Sequence, residues 1–166
     1  MVTNSPKKGQ SGRSGGSKGS RSGSKGSGRS RRLSGKHLVI VESPTKAKTV
    51  NRYVGDDYVV MASVGHVRDL PTRSPKGTKM PVPGVDVENN FTPTYEVLAN
   101  KKKTVAELRK AAKEAKNVWF ATDLDREGEA IAWHLAEAVG VPLKDAKRVV
   151  FNAITKSEIK HAFSNP

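Results

Sequence analysis

Three carboxylates and a guanidinium fall within five consecutive positions, Asp123-Leu124-Asp125-Arg126-Glu127. The apolar run Val118-Trp119-Phe120-Ala121 stops just before them, and a helical pattern starts just after. Asp123 and Asp125 are two apart, so in an extended or turning backbone both side chains leave the same side. Two carboxylates held that way repel unless a cation or a proton lies between them. At neutral pH a hard divalent ion meets that need. Mg²⁺ takes oxygen ligands, usually one or two protein carboxylates with water and substrate phosphate. The alternative is a polar turn whose acids cap the following helix. Capping accounts for one or two of the acids, and leaves a third and the arginine unexplained.

Other residues gain meaning from the elements that position them. His37–Val41 is a short β-branched run that reads as a buried strand of a parallel sheet. Glu42 follows it directly. Ser43-Pro44 then opens a helix, with Ser43 as N-cap and Pro44 in the first turn, and Lys46 lies one turn on from Glu42. A second strand is predicted over 58–63. The loop Gly65-His66-Val67-Arg68-Asp69-Leu70-Pro71 follows, where His66 and Arg68 are placed to hold a phosphate or simply to sit in solvent. Residues 72–93 are rich in Pro, Gly and Lys and read as an unusually long loop. Thr94–Leu98 is a third strand candidate. A helix is predicted over 101–116, with Val105, Leu108, Ala112 and Ala115 inward and its charged face in solvent. The strand ending at the acids comes next. A helix over 127–139 then turns Ala130, Ile131, His134, Leu135 and Ala138 toward the sheet and stops at Gly140. Trp133 and His134 read as packing residues. A strand over 148–151 and a helix over 155–163, capped by Thr155 with Glu158 three residues later, close the pattern. Alternating strands and helices predict an α/β fold: a mostly parallel central sheet of about four strands with helices on both faces. Right-handed crossovers gather Glu42 and Asp123 on one rim.

Charge is unevenly spread. The 166 residues carry +14, but ten of the 30 basic residues fall in residues 1–36, where there is no acid. The other 130 residues hold 20 basic and all 16 acidic side chains and carry +4. That Gly, Ser, Lys and Arg segment has too few apolar residues to offset the entropy of ordering, so residues 1–36 read as a disordered basic tail and 37–166 as the folded domain. Such a tail suits a polyanionic partner, most simply nucleic acid, or a solubilising role. There is no cysteine, which excludes disulfides and thiolate metal sites and suits a reducing cytoplasm. No apolar run approaches the ~20 residues that cross a membrane, and no secretory leader is visible.

Four collinear stretches resemble one family. They are Val41-Glu42-Ser43-Pro44-Thr45-Lys46-Ala47-Lys48-Thr49, the Gly65–Pro71 loop, Ala121–His134 with its Asp-x-Asp-x-Glu-Gly, and Arg148-Val149-Val150-Phe151-Asn152 with Ile154-Thr155. Together they resemble the N-terminal Toprim domain of bacterial type IA DNA topoisomerases, over about residues 37–166. The resemblance implies a Toprim fold with Mg²⁺ on Glu42, Asp123 and Asp125, and Glu127 completing the acidic group. It implies breakage of one DNA strand by a tyrosine of another domain, strand passage and rejoining, so that negative supercoils relax without ATP. Glu42, Lys46, Arg126 and Glu127 are then the catalytic candidates. Glu42 is the candidate for proton transfer and Lys46 for stabilising the transition state or leaving oxygen. His66, Arg68 and Arg148 are candidates for DNA or phosphate contact; Arg126 contacts phosphate or balances the acids. The expected partners are DNA with a single-stranded segment and further domains in cis, with no membrane, in the bacterial cytoplasm beside the nucleoid.

Tyr53, Tyr58 and Tyr95 occupy helix or strand positions that read as packing, so no nucleophilic tyrosine is expected in this chain, and the chain alone is expected to be inactive in relaxation. The competing readings are another Toprim enzyme such as a primase or nuclease, a phosphoacceptor receiver domain, and a plain nucleic-acid-binding module working through the tail.

Overall fold

A computed structural model describes residues 33–74, 76–77 and 81–164. The basic tail read over residues 1–36 lies outside the described residues up to residue 32. The four that follow are folded. Leu33 is buried in the core, Lys36 N–H donates to Leu33 O, and Lys116 N–H donates to Lys36 O. The packed part therefore starts a few residues earlier than composition indicates, because one leucine in a polar stretch carries too little pattern to be noticed.

The main sheet has four parallel strands. They are β1 (His37–Val41), β2 (Tyr58–Ala62), β7 (Val118–Ala121) and β8 (Lys147–Val149), in the order β2-β1-β7-β8. Alternation along β1 explains why both faces are covered. Leu38 and Ile40 point into one core, and Val39 and Val41 into the other. On the first face lie α2 (Lys102–Glu114), through Val105, Leu108 and Ala111, and α3 (Arg126–Val139), through Ile131, Ala132, Leu135, Ala136, Ala138 and Val139. On the second face lie α1 (Pro44–Tyr53), through Val50, and α4 (Lys156–Ser164), through Ile159 and Ala162. The predicted α/β architecture with helices on both faces is the one observed. In α3 the buried stripe is shifted from the predicted one: Ala132, Ala136 and Val139 are inside, whereas Ala130 and His134 are only half-buried.

Local signals set the element ends. Ser43 is extended and its Oγ accepts from Lys46 N–H at 3.2 Å, with Pro44 behind it. Thr155 Oγ1 accepts from Glu158 N–H at 3.3 Å at the start of α4. Gly140 ends α3 at φ 77°, a conformation glycine adopts without strain.

The connection from β2 to α2 departs most from the reading. Thr94–Leu98 is not a strand of the main sheet. Its Glu96–Val97 (β6) pairs antiparallel with Arg68–Asp69 (β3), two residues inside the predicted loop. Within 72–93 a second small pair forms, Val85–Asp86 (β4) with Thr92–Pro93 (β5). Two-residue strands are too short to show period-two alternation, so sequence pattern misses them.

The crossovers reverse at β1. The chain leaves β1 through α1 on one face to reach β2, then returns through α2 on the other face to β7 and onward through α3 to β8. The carboxyl ends of β1 and β7 therefore flank a topological switch point, the usual ligand crevice of such sheets. Glu42 follows β1, and Thr122-Asp123 follow β7.

At the opposite end of β1, His37 rings with Tyr58 at 5.0 Å and Trp119 at 6.1 Å. Burial, then Lys116 and Lys147, hold its pKa below the usual histidine range. His134, packed on Tyr95, is lowered by burial and then by Arg68 and His66. A depressed histidine pKa means that the unfolded chain binds protons the folded protein refuses. Stability is thus full above about pH 6.5 and falls as pH drops below it. We expect urea midpoints to fall between pH 7.5 and pH 5, less so in His37→Phe and His134→Phe. Midpoints that do not respond to pH in that range would contradict these placements.

Candidate metal centre

Glu42 and Asp123 meet at the switch point through Lys46. The Lys46 ammonium pairs with Glu42 Oε1, one helical turn back, and with Asp123 Oδ1 at 2.5 Å. Glu42 and Lys46 are mostly buried, at 15% and 14% side-chain exposure, whereas Asp123 is half exposed. The predicted convergence of the two strand-end acids is thus what the structure shows. Glu42 Oε2 is buried and makes no hydrogen bond among the described residues. An unsatisfied carboxylate oxygen is costly to bury, and it marks a place where a further cation or proton is called for. Lys46 stands where a cation shared by the two carboxylates belongs.

Asp125 and Glu127 take other partners. Asp125 is the N-cap of α3, its Oδ1 accepting from Gly128 N–H at 2.6 Å. Capping thus uses one oxygen of Asp125, and Oδ2 lies outside that bond. Glu127 Oε1 lies 3.3 Å from His66 Nε2, both side chains well exposed. Among the described residues no three acidic or histidine side chains are grouped as metal ligands. The donor set on hand for Mg²⁺ is the Glu42–Asp123 pair, with hard oxygens and one of them orphaned, which fits that ion.

The β2 loop closes the other side. Ser63 N–H donates to Val41 O, and Gly65 N–H donates to Glu42 O at 2.8 Å. Val64 sits at φ 61°, where a β-branched residue is strained, and Lys101 Nζ donates to its carbonyl at 2.5 Å. This loop delivers His66 to Glu127.

The remaining basic candidates separate. Arg126 is exposed at the first position of α3 and has no side-chain partner among the described residues. Arg68 is only 15% exposed; it lies 5.5 Å from the ring centres of both Tyr95 and Trp133 and 3.9 Å from Glu137 Oε2. It ties β3 and Tyr95 to α3, and Glu42, Asp123, Asp125 and Glu127 are not its partners among the described residues. Arg148 is three-quarters buried and directs its guanidinium at main-chain carbonyls around Asp123. Tyr53 and Tyr58 pack in the second core, and Tyr95 packs on Trp133 and His134.

Sequence reading missed Gly128 and Thr122. A Cβ on Gly128 would lie 2.1 Å from Asp123 O, so the first turn of α3 rests directly on the main chain that carries Asp123. Thr122 is fully buried and its Oγ1 donates to Gly128 O at 2.7 Å. A glycine in the first turn of an otherwise good helix was the available signal, since helix propensity gives no reason for it.

Residues 37–154 match the Toprim domain family. The chain is 49% identical over 158 residues to DNA topoisomerase 1 of Pseudomonas aeruginosa. It is 50% identical over 153 residues to DNA topoisomerase 1 of Escherichia coli. Each match covers 80% of this chain and 18% of the relative, so the chain spans about a fifth of the length of these curated relatives. A solved structure, full-length topoisomerase I from Thermotoga maritima, is similar with a TM-score of 0.65 and 42% identity, over 78% of this chain and 20% of that one.

Two outcomes follow from the geometry. Lys46→Met leaves Glu42 and Asp123 without their shared cation and should cost about 1–2 kcal/mol in EDTA, less than a fully buried pair because Asp123 is half solvated. Mg²⁺ should then raise the melting temperature of the variant more than that of the parent. An equal Mg²⁺ response in both proteins would mean that Lys46 does not hold the cation place. Gly128→Ala should cost about 1–3 kcal/mol in denaturant unfolding, with the largest amide shift changes at Thr122–Asp125; a neutral substitution would contradict the contact.

Proposed function

The chain belongs to the Toprim domain family, and from that premise we propose that it is the Mg²⁺-binding part of a type IA DNA topoisomerase. The observation that carries this is the meeting of Glu42 and Asp123 on one ammonium at the switch point, with Glu42 Oε2 buried and unsatisfied. The names of the relatives favour this over a primase, a nuclease or a receiver domain. In this reading the longer polypeptide opens one DNA strand, passes another through the gap and rejoins it. DNA with a single-stranded segment is the partner, the other domains are joined in cis, and the protein works at the bacterial nucleoid in the cytoplasm.

The residues divide the work as their surroundings allow. Glu42 and Asp123 would hold Mg²⁺, which when bound neutralises charge on a backbone phosphate. Asp125 and Glu127 each engage one carboxylate oxygen, with the Gly128 N–H and with His66, and keep the other for the ligand set. Glu42 is the candidate to take or return a proton at the 3′ oxygen, with Oε1 engaged by Lys46 and Oε2 without a partner among the described residues. Lys46 Nζ, held between Glu42 and Asp123, would supply a preorganised positive charge for the charge that develops at the 3′ oxygen. Arg126 and His66 stand at the open rim, where a phosphate could reach them. The three tyrosines are occupied in packing, which supports a nucleophile supplied by another part of the polypeptide.

Titration of the 166-residue chain with Mg²⁺, followed by backbone amide shifts, tests this reading. The largest changes should fall at Glu42 and at residues 122–127. Plasmid relaxation by the chain alone should be absent with or without Mg²⁺. Shifts confined to residues 1–36 or to α2, or Mg²⁺-dependent relaxation by this chain, would overturn the proposal.

A further inference from the structure

Arg148 spends its hydrogen-bonding capacity on the protein. Its Nη1 donates to Phe120 O at 3.1 Å, Thr122 O at 3.1 Å and Val149 O at 2.6 Å. Its Nη2 donates to Asp123 O at 3.0 Å and to Glu129 Oε1 at 2.7 Å, and Nε donates to the same Glu129 oxygen at 3.1 Å. Pairing between β7 and β8 ends at Ala121 with Val149. Beyond that point the main chain of residues 122–123 has no strand beside it, and its carbonyls need donors from elsewhere. The planar fork of a guanidinium supplies several donors at fixed angles from one side chain, which a lysine ammonium cannot reproduce.

We propose that Arg148 is a positioning residue for Asp123: it continues the sheet's hydrogen bonding past the end of β8 and fixes the main chain that aims the Asp123 carboxylate at Lys46 and Glu42. Glu129 anchors the other side of the guanidinium to α3, so β7, β8 and α3 are locked at one point. Arg148 therefore acts through Asp123 rather than on a phosphate. The inference rests on the reading of Asp123 as a metal ligand for its functional meaning, and on the carbonyl contacts alone for its structural part.

The test compares the full chain with Arg148→Ala, Arg148→Lys and Glu129→Gln, well below their melting temperatures. Three measurements are made: ¹⁵N order parameters of Thr122–Asp125, the Mg²⁺ Kd from amide shifts, and the salt dependence of binding to an oligothymidylate. In Arg148→Ala and Arg148→Lys the order parameters should drop from about 0.85 to below about 0.6 at 122–125 while α1 and α2 are unchanged. The Mg²⁺ Kd should rise about tenfold, as for loss of a residue that orients a ligand, with the salt slope as in the parent. Glu129→Gln, whose amide oxygen still accepts from Arg148 and which keeps the carbonyl contacts, should stay near the parent in all three. A general loss of stability would lower melting temperature without moving the Kd of the folded molecule. If Arg148→Ala does not fold, Arg148→Lys decides. Rigid 122–125 in Arg148→Lys overturns the proposal. So does a salt slope reduced by about 0.7 with parental Mg²⁺ affinity, which would make Arg148 a phosphate contact. If the parent itself shows no Mg²⁺ response at Glu42 and Asp123, the functional reading above fails, and the order parameters alone decide whether Arg148 holds this segment.

Discussion

Charge compensation at the carboxyl edge of the sheet is the constraint on which this structure turns. Burying Glu42 beside the half-exposed Asp123 is tolerable only with positive charge between them, because a desolvated carboxylate next to a like charge is costly. The chain supplies that charge from within, by Lys46 one turn into α1. An internal ammonium is a compact point charge on a flexible stem. It keeps the pair folded while leaving one Glu42 oxygen unsatisfied.

The reversal of crossover direction at β1 is what makes the meeting possible. With α1 on one face and α2 and α3 on the other, the two central strands end side by side without a helix closing over them. The acids sit in that opening because each follows its strand directly. The β2 loop then reaches across through Gly65 N–H to Glu42 O, and brings His66 to Glu127. The strain recorded at Val64 falls in this loop, at the rim of the site, where the surroundings over-determine the backbone.

Around Asp123 the main chain is fixed from several directions. Gly128 touches its carbonyl, Thr122 is tied to the Gly128 carbonyl, and Arg148 donates to the carbonyls of Thr122 and Asp123. A half-exposed carboxylate thereby stands on a main chain held by several hydrogen bonds and one close contact. Electrostatic stabilisation by fixed charges is strongest when they do not have to reorganise.

Some of this was legible in the amino-acid order alone. Apolar runs of β-branched residues marked β1 and β7, Ser43-Pro44 marked the start of α1, and right-handed crossovers placed Glu42 and Asp123 on one rim. These follow from local sterics and burial, which act within a few residues. Tertiary structure decided the rest. It used Asp125 as a cap, gave Arg68 to a pair of aromatic rings, and turned Arg148 inward to the main chain. A charged side chain in a sequence shows what it can bind, but which partner it takes depends on what the fold brings within about 3 Å. The two-residue strands β3 to β6, Leu33 in the core and the requirement for glycine at 128 escaped for the same reason. Each is set by a contact between distant segments, and no periodicity or spacing records it.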